Sequence, residues 1–245
     1  MFASPHRVTA GRRPRPCVVA LPGTGSDADF ARRAFGPAAA AHGLALHAVE
    51  PDPRAVVASF LAALDAAAAR GPVLAAGISL GAAVAVTWAA ERRADAVGVV
   101  AALPAWTGPD TADCPAALSA AFTAERLRAD GLEAVVAQMR ASSPAWLGAA
   151  LEQSWRAQWP DLPAALEEAA AYKWPEAQLL AELRVPTVVV AAVDDPVHPL
   201  AVGEEWAARI PDSALHRITL AELGADPGVL GHRALPDLLD ERGIG

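Results

Sequence analysis

Along this chain, short runs of Val, Leu, Ile and Ala alternate with longer Ala-rich stretches whose apolar residues recur at helical spacing. The short runs predict strands near 17–21, 44–49, 72–77, 96–102, 185–193 and 214–220. The longer stretches predict helices over 27–42, 53–70, 80–93, 200–210 and 232–242. Parallel strands need long crossover connections, and helices usually supply them, so this alternation predicts an α/β protein with a mainly parallel central sheet flanked by helices. Within Val185 to Val193 the only polar residue is Thr187, which suits a strand covered on both faces.

The rhythm breaks between residues 107 and 183. No strand pattern occurs there, and Trp146, Trp155, Trp159 and Trp174 lie among helical segments punctuated by Pro144, Pro160, Pro163 and Pro175. Long connections of this kind in α/β domains commonly form binding elements. The expected organisation is a core from 1–106 and 184–245, with 107–183 inserted as a helical lid or cap. Its tryptophans either line a binding surface or anchor the helices to the core, and the two roles are compatible.

Composition narrows the partners. The 245 residues are 53% hydrophobic, enough for one sizeable core. A net charge of -8 and a pI near 5.2, with acidic residues scattered among the arginines, leave no basic face for phosphates or anionic lipid. Nucleic acid and membrane surfaces are therefore not expected partners; a small-molecule substrate is, and a homodimer is compatible with the composition. Cys17 and Cys114 do not make a disulfide framework or a metal-binding pair. The stretch from Met1 to Pro16 is basic but lacks the apolar segment of a secretory signal, and no apolar run is long enough to span a bilayer, so the expected location is cytoplasmic.

The chemistry is concentrated at Gly77-Ile78-Ser79-Leu80-Gly81, between the predicted strand 72–77 and the predicted helix 80–93. A serine on a sharp strand-to-helix turn needs flanking residues without bulk, so that strand and helix can approach. The bland alternative is a Gly-rich turn whose serine caps the helix. A second loop, Leu21-Pro22-Gly23-Thr24-Gly25-Ser26-Asp27, follows the first strand. It also reads as Gly23-x-Gly25-x-x-Ala28 with Glu50 closing the next strand, the spacing of an NAD(P)-binding fingerprint. Asp27 argues against that reading, since it places a carboxylate where a pyrophosphate needs positive potential.

Over most of the chain outside 107–183, the sequence resembles the α/β-hydrolase superfamily of the serine nucleophile-elbow type. That resemblance implies Ser79 as nucleophile, then an acid after a later strand and a histidine near the C-terminus. The acid loop is matched by Asp194-Asp195-Pro196-Val197-His198-Pro199, with Asp195 as the acid and Asp194 in reserve. The base is matched by Gly231-His232 before the last helix. His198 is set aside as too close to Asp195 to stand above Ser79 as well; His6, His42 and His47 precede the elbow, and His216 lies within a strand. The oxyanion-hole amides fall on Thr24 and Leu80, although Pro22 stands where many relatives carry His. No metal or organic cofactor is implied.

The expected activity is carboxylesterase-like: hydrolysis of a small, largely apolar ester or related acyl compound through an acyl-enzyme on a Ser-His-Asp triad. Thioesterase, acyltransferase and carbon–carbon bond hydrolase chemistry share the same elements. A non-catalytic ligand-binding protein and an NAD(P)-binding protein are the readings from other classes.

Overall fold

The computed structural model describes residues 15–240. Residues 1–14, with His6, and 241–245, where the predicted last helix and the outer limits of the expected core run out, lie outside the described residues. Six strands, β1 (Cys17–Leu21), β2 (Ala45–Ala48), β3 (Val73–Ile78), β4 (Ala96–Ala102), β5 (Thr187–Ala192) and β6 (Ser213–Ile218), form one sheet in the order β2-β1-β3-β4-β5-β6. Every pairing is parallel.

Along the four inner strands β1, β3, β4 and β5, side chains alternate between two buried faces, as a strand's period of two requires, while the edge strands β2 and β6 stay partly exposed. Val18, Ala20, Leu74, Ala76, Val188 and Val190 face a layer built on α1 (Ala28–Ala41) and α11 (Val229–Asp240). Val19, Leu21, Val73, Ala75, Val99 and Val189 face α2 (Val56–Ala68), α3 (Leu80–Glu91), and the later helices α8 (Ala177–Glu182) and α9 (Leu200–Arg209). Both faces are covered over these inner strands, which is why they read as continuous apolar runs. Helix α3 is buried nearly all round, and its Ala-rich sequence lets it sit close against the sheet.

Between β4 and β5 the chain forms α4 (Pro115–Asp130), α5 (Leu132–Ser142), α6 (Ala145–Gln158), α7 (Leu162–Ala171) and then α8, with no strand. Helices α4 to α7 share a small apolar cluster of their own, including Leu127, Val135, Trp155, Leu162 and Leu166. This group is tied to the sheet layers by a carboxylate: Glu168 on α7 accepts the N–H groups of Val56 and Val57, at 2.7 and 3.0 Å, capping the start of α2.

One helix was not expected from the sequence. Helix α10 (Leu220–Ala225) begins on the last residue of the predicted strand 214–220 and occupies part of the stretch before Gly231-His232, for which no helix is predicted. A capping box starts it: Thr219 Oγ1 accepts the N–H of Glu222, whose carboxylate accepts the N–H of Thr219.

Candidate active site

The chain direction across the sheet reverses between β1, which leads sideways to β2, and β3, which starts the run to β6. Crevices at the carboxyl ends of strands form at such reversals, and open α/β sheets bind ligands there. The loops that leave β1 and β3 at this point are the Gly23–Asp27 loop and the Ser79 turn.

Ser79 has φ 54° and ψ -115°, a left-handed backbone forced on a non-glycine residue. Backbone hydrogen bonds hold it there. Its N–H reaches Ala102 O on β4 at 2.9 Å, and its carbonyl accepts Ala82 N at 2.9 Å. The glycines on either side permit the turn. A Cβ on Gly77 would stand 2.1 Å from Gly81 O, and one on Gly81 would stand 2.6 Å from Leu21 O. The serine side chain does not cap α3, so the bland alternative fails and the hydroxyl is free for another partner.

That partner is His198, and not His232. His198 Nε2 lies 2.9 Å from Ser79 Oγ, while its Nδ1 lies 2.7 Å from Asp195 Oδ2. His198 is close to Asp195 along the chain, and a turn converts that closeness into contact. Asp195 Oδ1 accepts the N–H of Val197 at 2.8 Å and of His198 at 3.2 Å, folding residues 195–198 back on themselves. The aspartate and histidine, three residues apart, thereby face each other. Asp followed by Pro is a turn-opening pair, so Asp195-Pro196-Val197-His198 carried the signal.

Burial pushes the Asp195 carboxyl up, but the His198 hydrogen bond and charge and the two backbone N–H groups outweigh it and hold the group below the ordinary carboxylate range. A charged Asp195 accepts from Nδ1–H of the imidazole and so leaves the Nε2 lone pair facing the serine hydroxyl. Ser79 is 6% exposed, and the side chains of His198 and Asp195 are 17% and 9% exposed. Asp194, the reserve acid, points elsewhere: its Oδ1 accepts Leu220 N at 2.8 Å, at the start of α10.

His232 is exposed on α11. The glycine before it serves packing, because a Cβ on Gly231 would stand 2.8 Å from Ala34 O and 3.1 Å from Ala38 Cβ on α1. With Gly231 turned inward against α1, the next residue of the helix is rotated away from it. His216 is likewise engaged elsewhere, with Nε2 2.7 Å from Asp237 Oδ2.

The residues assigned to the oxyanion hole flank the serine. Leu80 is the first residue of α3, where a helix N–H has no intrahelical partner. Thr24 is inside a four-residue turn closed by Ser26 N to Gly23 O at 3.0 Å, with Gly25 at φ 68°. A Cβ on Gly23 would stand 3.5 Å from Ser79 Cβ, so this turn runs directly past the nucleophile candidate. The same loop does not suit a pyrophosphate. Asp27 Oδ1 accepts Phe30 N at 2.9 Å and Glu50 Oε2 accepts Ala28 N at 3.0 Å, so two carboxylates already occupy the start of α1.

Residues 1–235 match the family described as the Alpha/beta hydrolase family. The chain belongs to that family. Solved α/β-hydrolase-fold structures agree over nearly the whole chain. MenH from S. aureus is 17% identical with a TM-score of 0.71, covering 95% of this chain and 96% of that one. The enol-lactonase from Burkholderia xenovorans LB400 is 14% identical with a TM-score of 0.68, covering 93% and 92%. A thermophilic esterase from Thermogutta terrifontis is 18% identical with a TM-score of 0.63, covering 95% and 90%. At these identities the likeness is one of fold. No curated protein matches the chain. Among the described residues, no helix is long and apolar enough to cross a membrane.

Proposed function

We propose that this α/β-hydrolase family member is a serine-dependent hydrolase of small, largely apolar esters, with Ser79 as nucleophile, His198 as general base and Asp195 as the orienting acid. The observation that carries this reading is the unbroken hydrogen-bonded chain from Asp195 through His198 to Ser79, on a strained turn at the reversal point of the sheet. Its enol-lactonase and esterase likenesses are in keeping with ester chemistry.

In this mechanism His198 Nε2 accepts the Ser79 hydroxyl proton as Oγ attacks the acyl carbonyl. Asp195 holds the ring and stabilises the imidazolium. The N–H groups of Thr24 and Leu80 receive the developing oxyanion. The imidazolium then gives its proton to the leaving alkoxide, and the acyl group stays on Ser79. Water, deprotonated by His198, attacks the acyl-enzyme, and the imidazolium returns that proton to Ser79 Oγ as the acid leaves. The helices between β4 and β5 act as a cap, through the contacts of α6 with the loop that follows β1.

The test is turnover of short-chain p-nitrophenyl esters together with labelling by a fluorophosphonate. Wild type should do both, and Ser79→Ala should do neither while keeping its circular dichroism spectrum. Equal activity in Ser79→Ala overturns the reading.

A further inference from the structure

The Thr24 turn is held by the cap as well as by its own strand. Helix α6 lies on it and touches three successive residues. Gln158 Nε2 donates to Ser26 O at 3.0 Å and to Ser154 Oγ at 2.7 Å. Gln153 Nε2 donates to Asp27 Oδ2 at 3.1 Å. The Trp155 ring covers Gly25 so closely that a Cβ there would stand 2.9 Å from Trp155 Nε1. Gln158 is 5% exposed and Ser154 1% exposed, positions at which a polar side chain is costly unless it is bonded. Both are bonded, and the bond that leaves the cap ends on the carbonyl of the turn's last residue. At the other end of α6, Trp146 stacks on Phe30 with ring centroids 6.4 Å apart and packs on the backbone of Gly224 in α10, which stops the helix from pivoting.

We infer that Gln158, supported by Gln153, is a positioning residue for the oxyanion hole: its amide fixes the carbonyl of Ser26 and thereby the orientation of the Thr24 N–H beside Ser79. The inference rests on the serine-hydrolase reading above. The physical case is that a turn closed by a single hydrogen bond, with a glycine at its third position, has a soft peptide plane that a small rotation would turn away from the substrate oxygen. Oxyanion donors act only when pre-aligned with the charge that develops, so loosening the turn harms the transition state more than the bound substrate. The cap therefore contributes to the rate as well as to access.

The experiment compares wild type, Gln158→Met and Gln153→Met on one p-nitrophenyl ester, with a boronic acid as tetrahedral mimic. Met keeps the length of the side chain and removes the donor. Gln153 is exposed, so its variant is expected to fold even where the buried change is less well tolerated. The inference expects kcat to fall about 10- to 100-fold in Gln158→Met with KM within about twofold, and boronate affinity to weaken in proportion to kcat. Gln153→Met should show a smaller loss with the same split. Hydrogen exchange at the amides of residues 24–26 should quicken in both. Unchanged kcat in the two variants overturns the inference, and so does a rise in KM at constant kcat, which would make Gln158 part of the substrate wall. Absence of turnover and of Ser79 labelling in wild type would instead overturn the underlying hydrolase reading, before any variant is compared.

Discussion

Two glycine-flanked residues in this chain carried the sequence argument, and they came out differently. At Gly77-Ile78-Ser79-Leu80-Gly81 the glycines let β3, α3 and the Leu21–Pro22 backbone converge around the serine, whose hydroxyl meets His198. At Gly231-His232 the glycine lets α11 press on α1, and the histidine next to it faces solvent. A glycine beside a reactive residue marks a close approach of backbones; it does not say on which side the reactive group emerges. The turn decides that. Ser79 sits in a left-handed bend that lifts its side chain clear of the helix, whereas His232 follows ordinary helical rotation.

The largest expected effects test this contrast directly. Ser79→Ala and His198→Ala should each lower kcat for an ester by about a millionfold, against no more than about twofold for His232→Ala. A large loss in His232→Ala with an active His198→Ala would reverse the assignment. Asp195→Asn should cost about ten-thousandfold in kcat, because the amide favours the wrong imidazole tautomer, while Asp194→Asn should leave kcat near wild type and loosen only the start of α10. Steady-state kinetics on the same ester separates these.

The glycines give the next tier. Gly77→Ala places a Cβ where backbone already stands, so it should destabilise by more than about 3 kcal/mol or prevent folding. Gly231→Ala should destabilise by about 1–3 kcal/mol, since its nearest clash is wider, and the folded fraction should keep its wild-type kcat. Thermal and urea unfolding, read beside active-site titration, check both.

The smallest expected effect concerns acid stability. The native Asp195 carboxyl titrates below its unfolded counterpart, so its contribution is present above the ordinary carboxylate range and is lost as pH falls through the lowered native value. Asp195→Asn should therefore show a shallower loss of stability than wild type across that acidic window, measured as the urea midpoint against pH.

Much of the architecture was legible because it is local. All six strands fall within about two residues of their expected spans, and in β1, β3, β4 and β5 short apolar runs with two buried faces leave no helical alternative. Helix α10 was not legible, although Thr219 and Glu222 spell a capping box, because it is six residues long, carries Gly224 inside it and stops at Asp226. The serine turn was legible for the same reason as the strands: strand, bend and helix are contiguous. The pairing of Asp195 with His198 was not legible from their separation along the chain, because the turn that brings the two side chains face to face is made by Asp195 itself accepting the N–H groups of Val197 and His198. The contact of α6 with the Thr24 turn could not be read at all, since Gln158 and Ser26 are 132 residues apart and an isolated glutamine announces no partner.

The compactness of the 195–198 turn has a consequence for how the enzyme would lose activity. When acid and base come from separate loops, the whole fold must bear the entropy of bringing them together; closing a four-residue loop costs far less. The Asp195–His198 pair can therefore persist while the domain loosens around it. The contact between that self-contained couple and Ser79 spans 119 residues of chain, so its alignment is expected to be lost first on heating. Inactivation would thus report the sliding of β5 against β3 through β4, and mutations that stiffen that central pairing should extend working life more than any change within the turn itself.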